Sequence, residues 1–318
     1  MSLDLTECRI QEPAGSSQVD LYRLLGEVFP PDQELFEWLI ASGRPLYTWT
    51  PYTLYRGEEI VGNVSLMPLR IWLDGQPIEV VGVASVFARP QYRHQGVARH
   101  LLKHCLALID QQRLPAVLFT GCPEVYSGVG FVSIGQEYWE CRLCDWSLHE
   151  RDFPSAWLDP PASGDWEAIA WLYGECPPGD GKLVRDREYW PLYQTFFRLN
   201  PHVRLVACGE RGRWLGYARC EEESGRLLVS EFCCPEDREE IAESLMEAIA
   251  EKATLQGRML LSLALAPGHF LYRLLRSRGV ELVVEGPTAG REVFMVRPAA
   301  GQRLGRLGQL QWSLADKF

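Results

Sequence analysis

The sequence predicts an α+β fold made of two tandem units, each a mixed central sheet flanked by helices, with the second unit a degenerate copy of the first. Three observations carry this reading. Strand-like and helix-like segments recur in the same order in both halves of the chain. The 318 residues, 47% apolar and 11% aromatic, are enough for two cores of ordinary size. A stretch from Ser147 to Gly164 holding Pro154, Pro160 and Pro161 lies between the halves as a linker. The expected limits are 1–150 for the first unit, 155–298 for the second and 299–318 for a Gly-rich C-terminal tail.

In chain order, Val19, Leu21, Tyr22, Leu24, Leu25 and Val28 give a helix over Gln18–Val28, ended by Pro30-Pro31. Asp32 opens a second helix through Leu35, Phe36, Trp38, Leu39 and Ile40, which Gly43 and Pro45 break. Tyr52–Tyr55 and Ile60–Met67 flank a turn at Arg56-Gly57-Glu58. Leu69–Leu73 and Ile78–Phe87 flank one at Asp74-Gly75, so this region reads as an antiparallel meander. Val97, Leu101, Leu102, Cys105, Leu106 and Ile109 make an amphipathic helix, followed by a strand at Ala116–Thr120, a helical turn at Glu124–Gly128 and a strand at Phe131–Arg142. The second unit repeats the plan. It has a helix at Trp166–Tyr173, strands at Val203–Cys208, Trp214–Cys220 and Arg226–Phe232, and a helix at Arg238–Lys252. A strand at Leu260–Leu265, a helix at Phe270–Arg278 and a strand at Glu292–Val296 complete it.

The 32 Lys+Arg and 42 Asp+Glu leave a net charge of −10, the wrong sign for a chain held to nucleic acid or to an anionic membrane. Residues 1–150 carry 18 acidic and 11 basic side chains, and ten of those acids lie between Asp4 and Glu59. Such a surface favours a cationic, amine-bearing partner. The Met1–Ile10 start lacks the apolar run of a signal peptide and no uncharged run is long enough to span a bilayer, so a cytoplasmic protein is expected. The ten cysteines are scattered without a disulfide or zinc spacing, and Cys141 and Cys144 form a lone CxxC that reads as part of a strand. No metal is expected.

The chemistry concentrates at Val86-Phe-Ala-Arg-Pro-Gln-Tyr-Arg-His-Gln-Gly-Val-Ala-Arg-His-Leu-Leu102, where a strand passes through a basic turn into a helix. The backbone N–H groups from His94 through Gln95, Gly96, Val97 and Ala98 have no intrahelical acceptor, and with the positive helix terminus they suit a pyrophosphate. Gly96 admits close backbone approach, Ala98 keeps the turn small, and Arg93, His94 and Arg99 add positive charge.

Arg93-x-x-Gly96-x-Ala98 after Pro90-x-Tyr92 resembles motif A of the GNAT acyltransferases, whose turn holds the pyrophosphate of coenzyme A. A second element, Tyr126-Ser-Gly-Val-Gly130-Phe131, resembles the Tyr-x-x-x-Gly-Phe signature that follows the fifth strand in that family. The resemblance implies acetyl-CoA as co-substrate, with Tyr126 as the acid that protonates the departing thiolate. It also implies that backbone N–H groups of Val86, Phe87 and Ala88 face the thioester oxygen, an interaction worth on the order of 3 kcal/mol in a transition state. No nucleophile elbow or His/Asp constellation argues for a covalent intermediate.

Two such units with motif A only in the first resemble the tandem GNAT proteins of the enhanced intracellular survival family. The corresponding entry in the second half, Cys233-Cys-Pro-Glu-Asp-Arg-Glu-Glu240, has acids where phosphate would lie and no glycine, so that half is not expected to bind coenzyme A. Members of that family carry a third, sterol-carrier-like domain that this sequence lacks, and their C-terminal carboxylate serves as the amine's base. The resemblance therefore names the Phe318 carboxylate as a candidate base; Glu34, Glu37 and Glu79 are others. His94 belongs to the phosphate turn, His100 and His104 read as surface residues, and Trp38, Trp49 and Trp72 read as core or as amine-pocket lining. The expected activity is N-acetyltransfer from acetyl-CoA to a primary amine on a small molecule or peptide; the alternative is a non-catalytic acyl-CoA-binding protein. Homo-oligomers occur among these relatives, and the sequence leaves that point open.

Overall fold

The computed structural model of the chain describes residues 3–43, 49–143, 151–176, 179–210, 212–223, 225–266, 268–285 and 292–310. In chain order the first half forms β1 (Arg9–Gln11), α1 (Ser16–Val28), α2 (Gln33–Ser42), β2 (Thr50–Arg56), β3 (Glu59–Leu73), β4 (Gln76–Ala88), α3 (Val97–Gln112), β5 (Ala116–Thr120), α4 (Pro123–Ser127), β6 (Val132–Ile134) and β7 (Tyr138–Arg142). The second forms β8 (Ser155–Leu158), α5 (Ser163–Glu175), α6 (Tyr189–Leu199), β9 (Val203–Glu210), β10 (Arg213–Glu223), β11 (Arg226–Cys233), α7 (Glu239–Leu255), β12 (Leu260–Leu263), α8 (Phe270–Ser277), β13 (Val283–Glu285) and β14 (Val293–Arg297). The meander turns where the sequence says it should: Asp74 and Gly75 both take positive φ, +52° and +70°, which a tight hairpin matched to strand twist requires.

Each half contributes a seven-stranded mixed sheet, in the orders β1-β2-β3-β4-β5-β14-β6 and β13-β7-β12-β11-β10-β9-β8. The two-unit α+β architecture is as the sequence predicts, but two strands are exchanged. The strand expected over Phe131–Arg142 breaks at residues 135–137. β6 stays in the first sheet, while β7 crosses to pair antiparallel with β12 and β13. Reciprocally, β14, from the far end of the chain, enters the first sheet between β5 and β6. Its side chains serve two cores: Phe294 and Val296 face one, Met295 the other, and all three are fully buried. Alternation fixes which residues of a strand are buried, not which sheet receives it.

Further departures are local. Part of the expected linker, Ser155–Leu158, is an edge strand paired to β9. The helix α6, which begins Tyr-Trp-Pro, was not apparent in the sequence, although proline is well tolerated in a first turn. It packs against α2, with Leu192, Phe196 and Leu199 joining the α1–α2 cluster.

α1 and α2 lie on one face of the first sheet, where Leu21, Leu25, Leu35, Phe36 and Leu39 meet Tyr55, Ile60 and Phe87. α3 covers the other, burying Val97, Leu101, Leu102, Cys105 and Ile109 against Val61, Val64, Val81 and Val83. Each such side chain contributes roughly 1.5–3 kcal/mol. A third cluster joins the halves, setting Ile71, Met67 and Phe294 against Trp166, Ile169, Leu205 and Tyr217. The joint is sewn by backbone bonds between the end of β3 and residues 181–184: Trp72 N to Lys182 O at 2.9 Å and Val184 N to Arg70 O at 2.8 Å. Among the described residues no helix is long and apolar enough to cross a membrane.

Candidate active site

β4 and β5 run parallel and pair only at Val81–Ala116 and Gly82–Val117, after which they part. At the parting β4 carries a bulge: against β3 the register steps from Ser65–Ala84 to Asn63–Phe87. Ser85 sits in the bulge at φ +49°, left-handed and unusual for a non-glycine. The extra residue resets the alternation, so Val81 and Val83 pack in the α3 cluster before it and Val86 and Ala88 after it. Arg89 N donates to Val61 O at 2.9 Å, which fixes the antiparallel phase. In that phase Phe87 turns its peptide groups to β3, while the N–H groups of Val86 and Ala88 are directed away from it, toward the side from which β5 has parted.

Beyond Ala88 the chain makes a 3-10 turn, Pro90–Tyr92, and enters α3. Glu59 on β3 pins that turn, accepting from Tyr92 Oη at 2.8 Å and Gln91 Nε2 at 3.2 Å and pairing with Arg89 at 3.5 Å. The Gln95 side chain completes it, its Nε2 donating to Gln91 O at 2.8 Å and its Oε1 accepting from Leu3 N at 2.6 Å. His94 and Gly96 both take positive φ, +61° and +82°, and Gly96 is the N-cap of α3. Among the described residues no hydrogen bond uses the backbone N–H of His94, Gln95, Gly96, Val97 or Ala98. His100 N returns to Gly96 O at 2.8 Å and starts the helical ladder. The result is a row of unpaired donors at a positive helix end, with Arg93 and Arg99 exposed beside it, and it fits a pyrophosphate.

Two residues unremarked in the sequence make this geometry possible. Gly62 lies under the start of α3: a Cβ there would stand 2.6 Å from Phe87 O and 2.7 Å from Val97 Cγ1. Asn63 is fully buried and donates from Nδ2 to Ser85 O at 3.1 Å, inside the bulge. A glycine next to a polar residue in an otherwise apolar strand was the available signal.

Tyr126 lies on α4, directly after β5, 8% exposed and edge-on to Phe131. Burial pushes its hydroxyl up to about 12, against a hydrogen bond with Thr120 that pulls it down, so it keeps its proton at neutral pH. The other candidates are dispersed. Glu34 and Glu37 are exposed on the outer side of α2, and Glu79 lies exposed opposite Arg70 near the start of β4, remote from the turn. Phe318 and Cys144 lie outside the described residues. Trp38 and Trp49 pack against the apolar clusters. Among the described residues no three His, Cys, Asp or Glu side chains gather as a metal site.

The second half keeps the frame without the site. β11 also bulges against β10, between Val229 and Glu231, and parts from β12 after Val229. There, however, the His269 imidazole meets Phe232 O at 3.1 Å. The helix α7 begins after Arg238 with the acids Glu239 and Glu240, whose negative charge at the positive helix end disfavours an anion there.

Residues 15–133 match the model of the acetyltransferase (GNAT) domain. The chain is 30% identical over 84 residues to the uncharacterized N-acetyltransferase YhbS of Escherichia coli K12; the match covers 26% of this chain and 49% of that protein. The chain thus spans about half the length of the curated relatives it matches. Among solved structures, Eis1 from Mycobacterium abscessus superimposes with a TM-score of 0.60 at 16% identity, over 92% of this chain and 73% of that one. A tandem GNAT protein from the clavulanic acid biosynthesis pathway does so with a TM-score of 0.50 at 16% identity, over 93% of this chain and all of that one. Residues 15–133 are therefore similar to the GNAT acetyltransferase domain, and the chain has the fold of these tandem GNAT structures.

Proposed function

We propose that the protein is an acetyl-CoA-dependent N-acetyltransferase whose first half performs the reaction by direct transfer to an amine. The observation that carries this is the continuity of three features on one strand-turn-helix. The bulge of β4 opens toward the parted β5, the pinned turn follows, and the unpaired N–H row of His94–Ala98 leads into α3. These features are spaced along the chain like the thioester, pantetheine arm and pyrophosphate of one extended ligand.

In this mechanism the N–H groups of His94–Ala98 hold the pyrophosphate, with Arg93 and Arg99 adding charge. The N–H of Val86, with that of Ala88, donates to the thioester oxygen and stabilises the charge that grows there as the amine nitrogen attacks the carbonyl carbon. The C–N bond forms, the C–S bond breaks, and Tyr126 gives its proton to the leaving sulfur. An alkylammonium of pKa about 10.4 must first lose a proton. The Phe318 carboxylate is the proposed acceptor of that proton, directly or through water. The second half, whose parting is filled by His269, shapes the acceptor side rather than binding a second coenzyme.

Calorimetric titration of acetyl-CoA into the wild type and into Gly96→Glu tests the reading, since the variant sets bulk and negative charge among the donors. Binding by the wild type and its loss in the variant, followed by amine-dependent thiol release, is the expected result. Wild-type binding without thiol release for any amine class identifies a non-catalytic acyl-CoA-binding protein, and no wild-type binding overturns the proposal.

A further inference from the structure

Resting on the acetyltransferase reading above, we infer that Asn63 is a positioning residue, which aims the Val86 N–H into the parting of β4 and β5 by holding the carbonyl of the same peptide unit. The peptide between Ser85 and Val86 is trans, so its C=O and N–H point in opposite directions. Asn63 Nδ2 binds the Ser85 oxygen at 3.1 Å on the β3 side. The Val86 N–H therefore faces the other way, into the parting, and whatever fixes the oxygen fixes the donor.

The asparagine is itself held in one orientation. Its Oδ1 accepts from the Thr53 hydroxyl at 2.8 Å, and its Nδ2 also donates to Ser65 Oγ at 3.0 Å. Because the Ser85 carbonyl can only accept, the amide nitrogen must lie on that side, and the Thr53 hydroxyl then supplies the proton on the other. Thr53 and Asn63 are 0% exposed and Ser65 2%. Three polar side chains are buried across β2 and β3, where valine would pack without desolvation: Thr53 and Ser65 hold Asn63, and Asn63 holds one strained peptide.

The inference separates two functions that a purely structural asparagine would not. The pyrophosphate turn is pinned by Glu59 and Gln95, neither of which touches Asn63. Loss of Asn63 should therefore spare coenzyme binding and disable the chemistry. The test compares wild type, Asn63→Leu, which matches the outline of asparagine without its donors, and Thr53→Val, which keeps those donors but frees the amide to turn. The readouts are kcat for thiol release, the dissociation constant for coenzyme A, and the infrared carbonyl frequency of bound acetyl-CoA labelled with carbon-13 at the thioester.

The wild type is expected to lower that frequency relative to free acetyl-CoA. Asn63→Leu is expected to bring it back toward the free value and to reduce kcat 10- to 100-fold, with coenzyme A affinity within about threefold of wild type. Thr53→Val is expected to lie between, and it decides the matter should Asn63→Leu fail to fold. A frequency shift that persists in the folded variants together with wild-type kcat overturns the inference alone. Absence of any shift or thiol release in the wild type overturns the acetyltransferase reading, and the inference with it.

Discussion

Arg297 grips Asp110 from 187 residues away, its Nη1 and Nη2 donating to the two carboxylate oxygens at 2.7 and 2.9 Å while its Nε donates to Val129 O at 3.2 Å. This fork is the outer lock of the strand exchange. It ties β14 to α3, and thereby closes the sheet that carries the candidate site. Replacing Arg297 by Met keeps the stem and removes the fork, and it should destabilise the protein by about 1–2 kcal/mol, less than a fully buried pair because Asp110 is a third exposed. The hydrogen bonds from Arg297 hold the Asp110 carboxyl below its ordinary value. The stabilisation is thus present above about pH 4 and is lost as pH falls through the native value. Denaturant unfolding of both proteins at pH 7 should show the difference, and the gap should narrow below pH 4.

Gly62→Ala should damage stability and coenzyme binding together. The added methyl meets a backbone oxygen and a helix side chain at 2.6 and 2.7 Å, neither of which can swing away. α3 must lift, at a cost of about 2–3 kcal/mol, and its N-terminal donors move with it. Thermal unfolding and acetyl-CoA titration should both report the change; a variant that binds as the wild type does would separate the seat of α3 from the site.

Tyr126→Phe should lower kcat roughly 100-fold while leaving the KM for acetyl-CoA within about twofold. Since burial holds the tyrosine at about 12, above its unfolded value, its proton is retained throughout the range in which an acceptor amine ionises. The wild-type rate should therefore rise with pH as the amine loses its proton, with no descending limb from Tyr126 below about pH 11. A pH profile of kcat in both proteins checks this.

The first half was legible as far as its residues interact with near neighbours. The meander, the helix entered through Gly96, and the turn residues all follow from local spacing. The strand exchange did not, because β7 and β14 read as ordinary strands and the sheet that pairs with each is decided over more than a hundred residues. At the site the backbone donors were legible from the motif, whereas Asn63 was not. Its role lies in one carbonyl of the neighbouring strand, and nothing in the run Ile60-Val-Gly-Asn-Val shows that Ser85 will bulge toward it.

The second half contains a buried ion pair whose loss should be severe. Arg185 forks onto Glu231, with Tyr217 Oη donating to the same carboxylate, inside a cage of Tyr173, Trp190 and Tyr193 rings. Both side chains are almost wholly excluded from solvent, and the guanidinium holds the Glu231 carboxyl below its ordinary value despite burial. Arg185→Met would strand the charge and should cost on the order of 3–5 kcal/mol. Glu231→Gln with Arg185→Met should recover part of that loss, which equilibrium unfolding of the single and double variants would measure.

His269 makes the second half acid-sensitive. Burial drives its imidazole from 6.5 down to about 4, against the hydrogen bond with Phe232 O that favours the charged form. The native state thus resists a proton that the unfolded chain accepts freely. Above pH 6.5 neither state is protonated and the residue contributes no pH dependence. As pH falls from 6.5 toward 4 the unfolded state gains its proton first, and stability declines by up to about 3 kcal/mol. His269→Gln retains an amide that can donate to Phe232 O and has nothing to titrate, so its stability should stay level over the same interval apart from the slope set by the carboxylates. Denaturation midpoints for both proteins from pH 7.5 to 4.5 would show whether the curves diverge on the acid side; parallel curves would place the acid sensitivity elsewhere.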